Sequence, residues 1–582
     1  VWRAGGPSGR VGGAGGAGGA IRDVRHSLNR FEWVEFSVAD VHEAIAASRP
    51  DEICLVFRDR RLTWADVTDR TRRLANHLAG HGLGVHTERE MLAGHESGQS
   101  HLAIYLHNGN EYLESMLGAL KARVAPVNVN YRYGAEELRY LLTDSRAEAI
   151  VVHSRFAPTL AEILPELPRV RVILQVPDES AHPLLPGAAW YDDALAAASG
   201  ARPATATSPD DLYILYTGGT TGLPKGVLWR NGDANVECFG GSRAAALDEI
   251  VAEAAGGLTA RLAPPLMHGA GHWMSFRTWN AGGTVYVQSA PDRFDPHAVW
   301  DLVESERLNF LLIVGDAFAR PLLDELDRRH YDLSSLTVLL SGGAPLSASL
   351  KEDLLRHLPT LMIVDGLGSS EAGGQVSHVS AGSAASTGTF PASPGNHVLA
   401  AALDRELAAG DDELGWLAKS GRLALGYLGD EAKSRQTYPV IGGIRYAVPG
   451  DRARLRADGA IELHGRDAAT INSGGEKIFA EEVEAAIKAH AGVYDCVVAG
   501  RPSPRWGDEV VAVVEMRRGH ERTDEAVLAG ALLAAAERHI SRYKLPKAFV
   551  FVDQIVRSPS GKADYRWAKQ VAEDAISEGR SV

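Results

Sequence analysis

The sequence predicts an α/β protein with more than one domain, and three observations support this prediction. The chain has 582 residues, which is more than a single domain usually contains. Short apolar runs alternate with stretches of helical apolar spacing, which is typical of layered sheets with parallel strands. Between residues 415 and 465, short strands and turns around Asp458-Gly459 favour a small antiparallel, β-barrel-like region instead.

The individual elements follow the same pattern. Helical spacing occurs at 71–84 and 111–122. Apolar runs predict strands at 101–108, 125–130, 147–153, 170–176, 283–289, 310–315, 336–342 and 361–366. Residues 375–400 are rich in Ser, Gly and Ala, so we expect a loop there, and a second alternating unit runs from about 467 to 570.

Composition excludes several classes of function. Charged residues make up 23% of the chain and the formal net charge is −14, so nucleic acid is not an expected partner. Cys54, Cys238 and Cys496 lie far apart, which indicates neither a disulfide framework nor a thiolate zinc site and fits a cytoplasmic protein. No apolar run is long enough for a membrane span.

The first twenty residues contain nine glycines. Such a segment cannot bury enough apolar surface to offset the entropy of ordering it. We therefore expect residues 1–30 to be a disordered tail.

The most informative segment is YTGGTTGLPKGV, residues 216–227, which follows an apolar run. Glycines let the backbone turn its N–H groups toward an anion, and hydroxyls and an ammonium add further donors. These groups are supplied by Thr217, Gly218, Gly219, Thr220, Thr221, Gly222 and Lys225. Leu223 and Pro224 exclude a Walker loop, so the segment predicts another kind of polyphosphate site.

Five further motifs follow in order after this segment. They are SGGAP (341–345), DGLGSSE (365–371), the pair GD (450–451) with GR (465–466), SGGEKI (473–478) and SPSGK (558–562). With these six motifs the sequence resembles the adenylate-forming superfamily of acyl-CoA synthetases, peptide-synthetase adenylation domains and beetle luciferase. The segments PLMHGAGHW (265–273) and TGGTTGLPKGV (217–227), the latter followed by Trp229, are most similar to those of actinobacterial fatty acyl-CoA synthetases, including some that act on steroid side-chain acids.

The resemblance implies two domains beyond the tail. A large N-terminal domain, residues 31–466, holds ATP and the acyl group, and a small mobile α+β domain, residues 467–582, rotates between two half-reactions. The first half-reaction makes acyl-AMP, and in the second the CoA thiol attacks it. Ala468 stands where relatives usually have an Asp or Lys hinge residue.

The resemblance also implies an ATP site. Its residues are Thr217, Gly218, Gly219, Thr220, Thr221, Gly222, Lys225, Gly342, Gly343, Ala344, Pro345, Asp365, Gly366, Ser369, Ser370, Asp451 and Arg466. Asp451 and Arg466 would bind ribose, and Lys225 would hold the β- and γ-phosphates. Leu367 replaces an aromatic residue that stacks on adenine in many relatives.

Three residues are the candidates for catalysis: Lys562, Glu371 and Lys225. The resemblance implies that Lys562 is the adenylation lysine and that Glu371 binds Mg²⁺, a cation that favours carboxylate and phosphate oxygens. A carboxylate that attacks the α-phosphorus of ATP meets another anion, so a cation aimed at the reacting oxygens lowers the barrier.

CoA contacts carry over in the same way. Gly474 and Gly475 would line the pantetheine path, Trp506 would pack on pantetheine, and Tyr543 and Lys547 would meet the CoA nucleotide. No carrier-protein segment follows these motifs, so free CoA is the expected acceptor.

Residues 261–276 are expected to form the wall of an acyl pocket. They contain no Asp or Glu, which disfavours an amino-acid substrate, and the candidates in this segment are His268, Gly269 and Trp273. Small residues, including Gly342 and Gly366, are expected to leave room for a bulky or long apolar group.

The expected function is therefore an ATP-dependent ligase that joins a fatty or steroid side-chain acid to CoA. Three alternatives stay open at this point: an acyl-AMP ligase that loads a carrier protein, a luciferase-like oxygenase, and a non-catalytic acyl or adenylate sensor. The sequence leaves the oligomeric state open, a homodimer included.

Overall fold

The computed structural model describes residues 34–217, 223–288, 293–382, 388–473, 476–503, 505–518, 524–558 and 561–577. The predicted disordered tail, residues 1–30, lies outside this part of the chain. So do Gly218, Gly219, Thr220, Thr221 and Gly222 of the polyphosphate segment, and Gly474 and Gly475.

The strands are given in chain order. They are β1 (Ile53–Phe57), β2 (Arg60–Thr63), β3 (His101–Tyr105), β4 (Ala125–Asn128), β5 (Ala149–His153), β6 (Val172–Val176), β7 (Ala189–Trp190), β8 (Leu212–Thr217), β9 (Lys225–Arg230), β10 (Thr259–Leu262), β11 (Thr284–Val287), β12 (Phe310–Ile313), β13 (Val338–Gly342), β14 (Met362–Ser369), β15 (Gly373–Ser380), β16 (Thr389–Phe390), β17 (Asn396–Leu399), β18 (Gly415–Ser420), β19 (Gly426–Tyr427), β20 (Val440–Ile441), β21 (Ile444–Ala447), β22 (Asp451–Leu455), β23 (Ile461–Arg466), β24 (Thr470–Ser473), β25 (Glu476–Phe479), β26 (Val493–Ser503), β27 (Gly507–Met516) and β28 (Ala548–Val552).

The α-helices connect and cover these strands. They are α1 (Val38–Ser48), α2 (Trp64–Gly80), α3 (Asn110–Lys121), α4 (Ala135–Asp144), α5 (Ala157–Ile163), α6 (Tyr191–Ala197), α7 (Asn231–Glu237), α8 (Leu247–Glu253), α9 (Gly269–Asn280), α10 (Pro296–Ser305), α11 (Gly315–Arg328), α12 (Ala348–His357), α13 (Glu431–Thr437), α14 (Ala480–Lys488), α15 (Glu525–Ala536) and α16 (Tyr565–Ser577). In this part of the chain no helix combines the length and the apolar character needed to cross a bilayer.

Two eight-stranded sheets form the body of the molecule. The first sheet has the order β15-β14-β13-β12-β10-β11-β1-β2 and the second has the order β19-β9-β8-β4-β3-β5-β6-β7. Pairing is parallel except at β14–β15 and β1–β2 in the first sheet and at β8–β9 and β9–β19 in the second. The prediction of layered sheets with largely parallel strands is therefore confirmed.

Helix α3 lies between these two sheets. It contacts β3 of the second sheet and β1 of the first, and every one of its residues is buried. Because α3 is enclosed on all sides, it has no solvent-exposed face for polar residues. Its polar side chains therefore need hydrogen-bond or ion-pair partners inside the protein. Arg70 supplies one by pairing with the fully buried carboxylate of Glu114 at 2.8 Å.

A third, antiparallel sheet covers residues 389–466. Its order is β16-β23-β22-β18-β21-β20, and β17 pairs with β18. Asp458-Gly459 forms the turn between β22 and β23, with Gly459 at φ +81°, as the sequence predicts. The loop predicted at 375–400 is wrong, because β15, β16 and β17 lie within it. Pairing across the sheet, such as Val364 of β14 with Val379, outweighs the weak strand propensity of Ser and Gly there.

The last part of the chain forms a fourth, five-stranded sheet of its own. Its order is β25-β24-β27-β26, and β28 pairs in parallel with β27. Helices α14 and α15 bury apolar residues against it, among them Val483 and Leu532, which pack with Val498 of β26 in a cluster whose described members all follow residue 468. This mixed helix and sheet layer begins at Thr470, close to the predicted boundary after residue 466, which stays a prediction.

Lys419 on β18 fixes the third sheet to the segment that follows Glu371. Its buried ammonium lies 2.7 Å from the carboxylate of Glu237 and donates to the carbonyl oxygens of Ala372 (2.9 Å) and Gly374 (2.5 Å). A buried ammonium with three oxygen partners is satisfied, and one that loses them is costly. The position of the 371–374 turn therefore depends on Lys419.

Replacing Lys419 with Met is expected to destabilise the protein by about 3 kcal/mol, because the variant leaves the carbonyl oxygens of Ala372 and Gly374 without their buried donor and removes one of the two cations that contact Glu237 among the described residues. Thermal unfolding followed by circular dichroism measures this as an apparent unfolding temperature several degrees below wild type. Lys569→Met, on the exposed face of α16, is the control and leaves that temperature unchanged. Equal unfolding temperatures for Lys419→Met and wild type would contradict the assignment.

Candidate functional site

The candidate site is a cleft between the first two sheets. The carboxyl ends of β12 and β13 lie on one side, and the β8–β9 hairpin that carries the polyphosphate segment belongs to the other sheet. Polar contacts join the sides: the Trp229 indole of β9 donates to the carbonyl of Ser370 at 2.8 Å, and the Asn128 side chain of β4 donates to the carbonyl oxygens of Tyr216 and Met267. The described residues of the 216–227 segment and residues 365–371 therefore lie at the same cleft.

Strands β8 and β9 lead into and out of the polyphosphate segment. Thr217 and Lys225 face each other across the β8–β9 pair. The Lys225 ammonium contacts the carboxylate of Asp430, and this contact, with further help from the Lys433 N–H, lowers the pKa of Asp430. Lys225 is thus already paired, although its side chain is 41% exposed.

The SGGAP motif, residues 341–345, resembles the adenine-side loop of the superfamily and begins at the end of β13. Gly342 ends the strand, and Gly343 has φ +93°, a conformation that favours glycine. The loop continues through Ala344 and Pro345, and the Pro345 carbonyl accepts a hydrogen bond from the Asp316 N–H at 3.2 Å. The first turn of α11 therefore supports this loop from behind.

Asp365 on β14 is held by a buried lysine. The Lys351 ammonium of α12, which is fully buried, donates to the Asp365 carboxylate. Burial raises the pKa of Asp365, and the Lys351 charge opposes that effect. Asp365 therefore lies at the cleft edge with one oxygen already engaged.

Ser369, Ser370 and Glu371 form the turn between β14 and β15. The Ser369 hydroxyl accepts from the Ala372 N–H at 3.1 Å, so it stabilises the turn itself. The Tyr427 hydroxyl donates to Oε1 of Glu371 at 2.9 Å. Burial, with the Glu371 charge acting in the same direction, raises the pKa of Tyr427 and keeps this donor protonated.

Asp451 and Arg466 are neighbours across the β22–β23 pair. Nε of Arg466 lies 3.3 Å from Oδ1 of Asp451, whose residue is only 4% exposed. Burial lowers the pKa of the Arg466 guanidinium, but the charges of Asp451 and Glu371 outweigh burial and raise it. The predicted pair is thus brought together beside Glu371.

Lys562 reaches this cleft from the last part of the chain. Its Cε lies 3.7 Å from the point where a Cβ on Gly343 would be. Partial desolvation by the surrounding residues lowers the pKa of Lys562 to about 8, although the residue as a whole remains solvent-exposed. The charge of Arg466 acts in the same direction, whereas Glu371 and Asp451 oppose it.

His268 and Trp273 stand at the start of α9. Burial, assisted by the Lys562 charge, lowers the pKa of His268 to about 3, so its imidazole is neutral. The Trp273 indole donates to the Tyr213 hydroxyl at 2.9 Å, and Tyr213 contacts Nε2 of His272. This hydrogen-bonded chain fixes the Trp273 ring in the pocket wall.

Gly269 and Gly342 of the predicted acyl pocket are closely packed, which corrects the expectation that they leave room for substrate. A Cβ on Gly269 would lie 3.3 Å from the Trp273 ring, and one on Gly342 would lie 3.1 Å from the carbonyl oxygen of Gly366. Close packing against neighbouring segments therefore accounts for glycine at these two positions. A Cβ on Gly366 would lie 3.5 Å from Leu340, an ordinary contact distance that does not require glycine.

The described CoA candidates lie apart from the cleft residues. The Lys547 ammonium lies 5.6 Å from the centre of the Trp506 ring, and Arg505 lies on the same ring at 4.7 Å. Tyr543 is 48% exposed. Within the described ranges no hydrogen bond or ion pair joins Trp506, Tyr543 or Lys547 to Lys562 or Glu371.

Several partners of the site escaped the sequence analysis. Tyr427 holds Glu371, Asp430 pairs with Lys225, and Lys351 pairs with Asp365. Each lies outside the motif that it serves, so spacing along the chain gives no signal for it. The helical apolar spacing of α12, which buries Lys351 beside Leu350 and Leu354, is the one local hint, since a buried lysine needs a carboxylate.

Two family models match the chain. One, described as AMP-binding enzyme, matches residues 42–421, and the other, described as AMP-binding enzyme C-terminal domain, matches residues 482–562. The first model covers more than half of the sequence. Of the cleft residues discussed above, Tyr427, Asp430, Asp451 and Arg466 lie between the two matched ranges.

Sequence relatives extend over nearly the whole chain. A medium-chain acyl-CoA ligase, Mig, from Mycobacterium avium is 52% identical, covering 92% of this chain and 98% of the relative. A medium/long-chain-fatty-acid–CoA/3-oxocholest-4-en-26-oate–CoA ligase from Mycobacterium marinum is 40% identical, covering 93% and 97%. Among solved structures, an anthranilate CoA ligase in complex with anthranoyl-AMP superposes with a TM-score of 0.77 at 21% identity, covering 93% and 98%. This structural match supports the fold.

The lowered pKa of Lys562 is directly testable. Because only the neutral amine is nucleophilic, acetylation of Lys562 in the folded protein is expected to rise with pH around a midpoint of about 8. In urea the midpoint returns to about 10.4, the value of a free lysine. Peptide mass spectrometry after short exposures to an acetylating reagent measures both curves.

The variant Glu371→Gln is a second test of the surroundings of Lys562. It removes a negative charge that favours the Lys562 ammonium, so the midpoint moves further down. Identical midpoints in the folded and the unfolded protein would show that Lys562 is not in the desolvated cleft.

Proposed function

The chain belongs to the AMP-binding enzyme family, and from that premise we propose that it is an ATP-dependent ligase joining a hydrophobic carboxylic acid to CoA. One observation carries the proposal: Lys562, from the last part of the chain, stands in the same cleft as Glu371, Asp451 and Arg466. A reaction between two anions needs a cation near the reacting oxygens, and the Lys562 ammonium can supply that charge.

In the first half-reaction an oxygen of the substrate carboxylate attacks the α-phosphorus of ATP, and pyrophosphate leaves. The Lys562 ammonium donates to the reacting oxygens and offsets the negative charge that the two reactants bring together. Asp451 accepts hydrogen bonds from the ribose hydroxyls, and Lys225 exchanges Asp430 for the β- and γ-phosphates. His268, being neutral, borders the acyl entrance without adding charge.

The donors of the cleft fit a Mg²⁺ ion bound with ATP. Glu371 presents a half-buried carboxylate, and among the described residues only Tyr427 bonds to it, through Oε1. Mg²⁺ commonly takes one or two carboxylates and completes its shell with phosphate oxygens and water, which agrees with the absence of any three-residue metal cluster in the described ranges. When bound, the ion neutralises phosphate charge.

In the second half-reaction the CoA thiol attacks the acyl carbonyl carbon, AMP leaves, and the thiol proton passes to solvent. Trp506, Tyr543 and Lys547 are the proposed CoA contacts, because each presents an aromatic face or an ammonium at the protein surface. Rotation of the small domain about the segment around Ala468, a homodimer and a cytosolic location stay predictions.

The proposed acid is a medium-chain or similarly sized hydrophobic acid. Residues 261–276 contain no acidic side chain, and Trp273 fills the space beside Gly269. A fixed indole at this position restricts the depth of the pocket, and the relative that is 52% identical is named for medium-chain acids.

The purified chain, given ATP, Mg²⁺ and CoA with hexanoate, octanoate, decanoate, palmitate or a steroid side-chain acid in turn, is expected to release AMP and form the acyl-CoA. Lys562→Ala lowers acyl-AMP formation by about 100-fold or more, while ATP binding is retained. Chromatography with mass spectrometry measures AMP and thioester, and Lys569→Ala serves as the control lysine variant. No AMP from any acid would refute the ligase assignment.

Trp273→Ala is expected to shift acid preference toward longer chains. Removing the ring opens space beside Gly269, so the ratio of kcat/KM for palmitate to that for octanoate rises by roughly tenfold or more. Tyr213→Phe is the matched control, because it removes the hydrogen bond from Trp273 but leaves the ring. An unchanged ratio in Trp273→Ala would place the acyl chain elsewhere.

A further inference from the structure

The first turn of α11 supports the adenine-side loop. The Asp316 N–H donates to the Pro345 carbonyl at 3.2 Å, and Oδ1 of Asp316 accepts from the Ser347 N–H at 2.7 Å. One residue earlier, the Gly315 N–H donates to the Ser341 hydroxyl at 3.0 Å. The loop that carries Gly342 to Pro345 is therefore bonded to α11 before, within and after its turn.

The second oxygen of Asp316 faces the small domain. Nζ of Lys488, in the last turn of α14, lies 2.8 Å from Oδ2 of Asp316, and the two side chains are 9% and 8% exposed. Burial raises the pKa of Asp316, but the Lys488 charge outweighs it and holds the pKa below its ordinary value. The buried Asp316 carboxylate thus bonds to the end of the adenine-side loop, at Ser347, and to the small domain, at Lys488.

The turn that carries Lys562 rests on the same helix. Gly561 has φ +76°, and a Cβ there would lie 2.9 Å from the Phe318 ring and 3.2 Å from the Val314 carbonyl oxygen. Further along α11, the Arg320 guanidinium lies 5.6 Å from the centre of the Tyr494 ring of β26. Helix α11 is therefore the surface on which the small domain sits when Lys562 is in the cleft.

We propose that Asp316 is a positioning residue for acyl-AMP formation: through Lys488 it holds the small domain against the nucleotide loop so that Lys562 stays in the cleft. This inference rests on the proposed ligase function. When one partner of a buried ion pair is removed, the remaining charge is unfavourable only in the domain arrangement that keeps it buried. Loss of Asp316 therefore disfavours the arrangement with Lys562 in the cleft and spares arrangements in which Lys488 reaches water.

Asp316→Asn isolates this effect. The amide oxygen of Asn still accepts from the Ser347 N–H, so the nucleotide loop keeps its bond, but the amide nitrogen cannot accept from Lys488. Lys488→Gln breaks the same pair from the small domain. Glu43→Gln is the control, because Glu43 lies 2.6 Å from Lys121 in a comparably buried ion pair within the large domain, where Arg72 also contacts it.

Two assays on the full chain separate the half-reactions. Acid-dependent exchange of pyrophosphate into ATP reports acyl-AMP formation, and conversion of synthetic octanoyl-AMP with CoA to octanoyl-CoA reports thioester formation. In Asp316→Asn and Lys488→Gln we expect exchange to fall by about tenfold to 100-fold, as expected for a misplaced catalytic group. The KM for ATP and the rate of thioester formation stay within about twofold of wild type, since neither depends on the pair.

The double variant Asp316→Asn/Lys488→Gln provides a further test. Because it removes both members of the Asp316–Lys488 pair, neither of the two is left buried without the other, and its exchange rate is expected to be no lower than that of either single variant. Glu43→Gln leaves the ratio of the two half-reactions unchanged.

Equal loss of both half-reactions in Asp316→Asn and Lys488→Gln, or unchanged exchange in both, would overturn the positioning role. If Asp316→Asn fails to fold, Lys488→Gln alone decides between these outcomes. If the wild-type chain itself forms no acyl-AMP, the proposed function fails instead, and the two failures are therefore distinguishable.

Discussion

The contact between α11 and the turn at Gly561 is the constraint on which the candidate site depends. Lys562 belongs to a layer with its own sheet and its own apolar core, so nothing within that layer directs the lysine toward a nucleotide. The close approach of Gly561 to Phe318 and Val314 places it there. A side chain larger than hydrogen at residue 561 has no space in this arrangement.

Desolvation is the physical consequence of that contact. The residues around Lys562 near Gly343 partly desolvate its ammonium, and its pKa falls to about 8, although the residue remains solvent-exposed. Glu371 and Asp451 oppose this fall, so the charge of Lys562 depends on the acidic residues that surround it. The charged residues of the cleft therefore shift one another's pKa values.

The joint between the two large sheets matters in a similar way. Trp229 and Asn128 carry bonds from the second sheet to segments that follow strands of the first. The polyphosphate segment and the Glu371 turn belong to different sheets, and these few polar contacts set their separation. Lys419 adds a third support from the antiparallel sheet. A site assembled from three sheets needs such supports, because no single element spans it.

Local pattern by itself determined much of this protein. The alternation of apolar runs and amphipathic stretches determined the α/β class and most strand positions, because hydrophobic periodicity is a property of residues close together in the sequence. Six ordered motifs identified the cleft residues that contact each other. The β15 to β17 region was missed because its strands are held by partners distant along the chain. Only the tertiary structure decided which residues complete the site: Tyr427, Asp430, Lys351 and the pair of Asp316 with Lys488 lie outside every motif. Their roles depend on burial and on distance in space, which spacing along a chain does not encode.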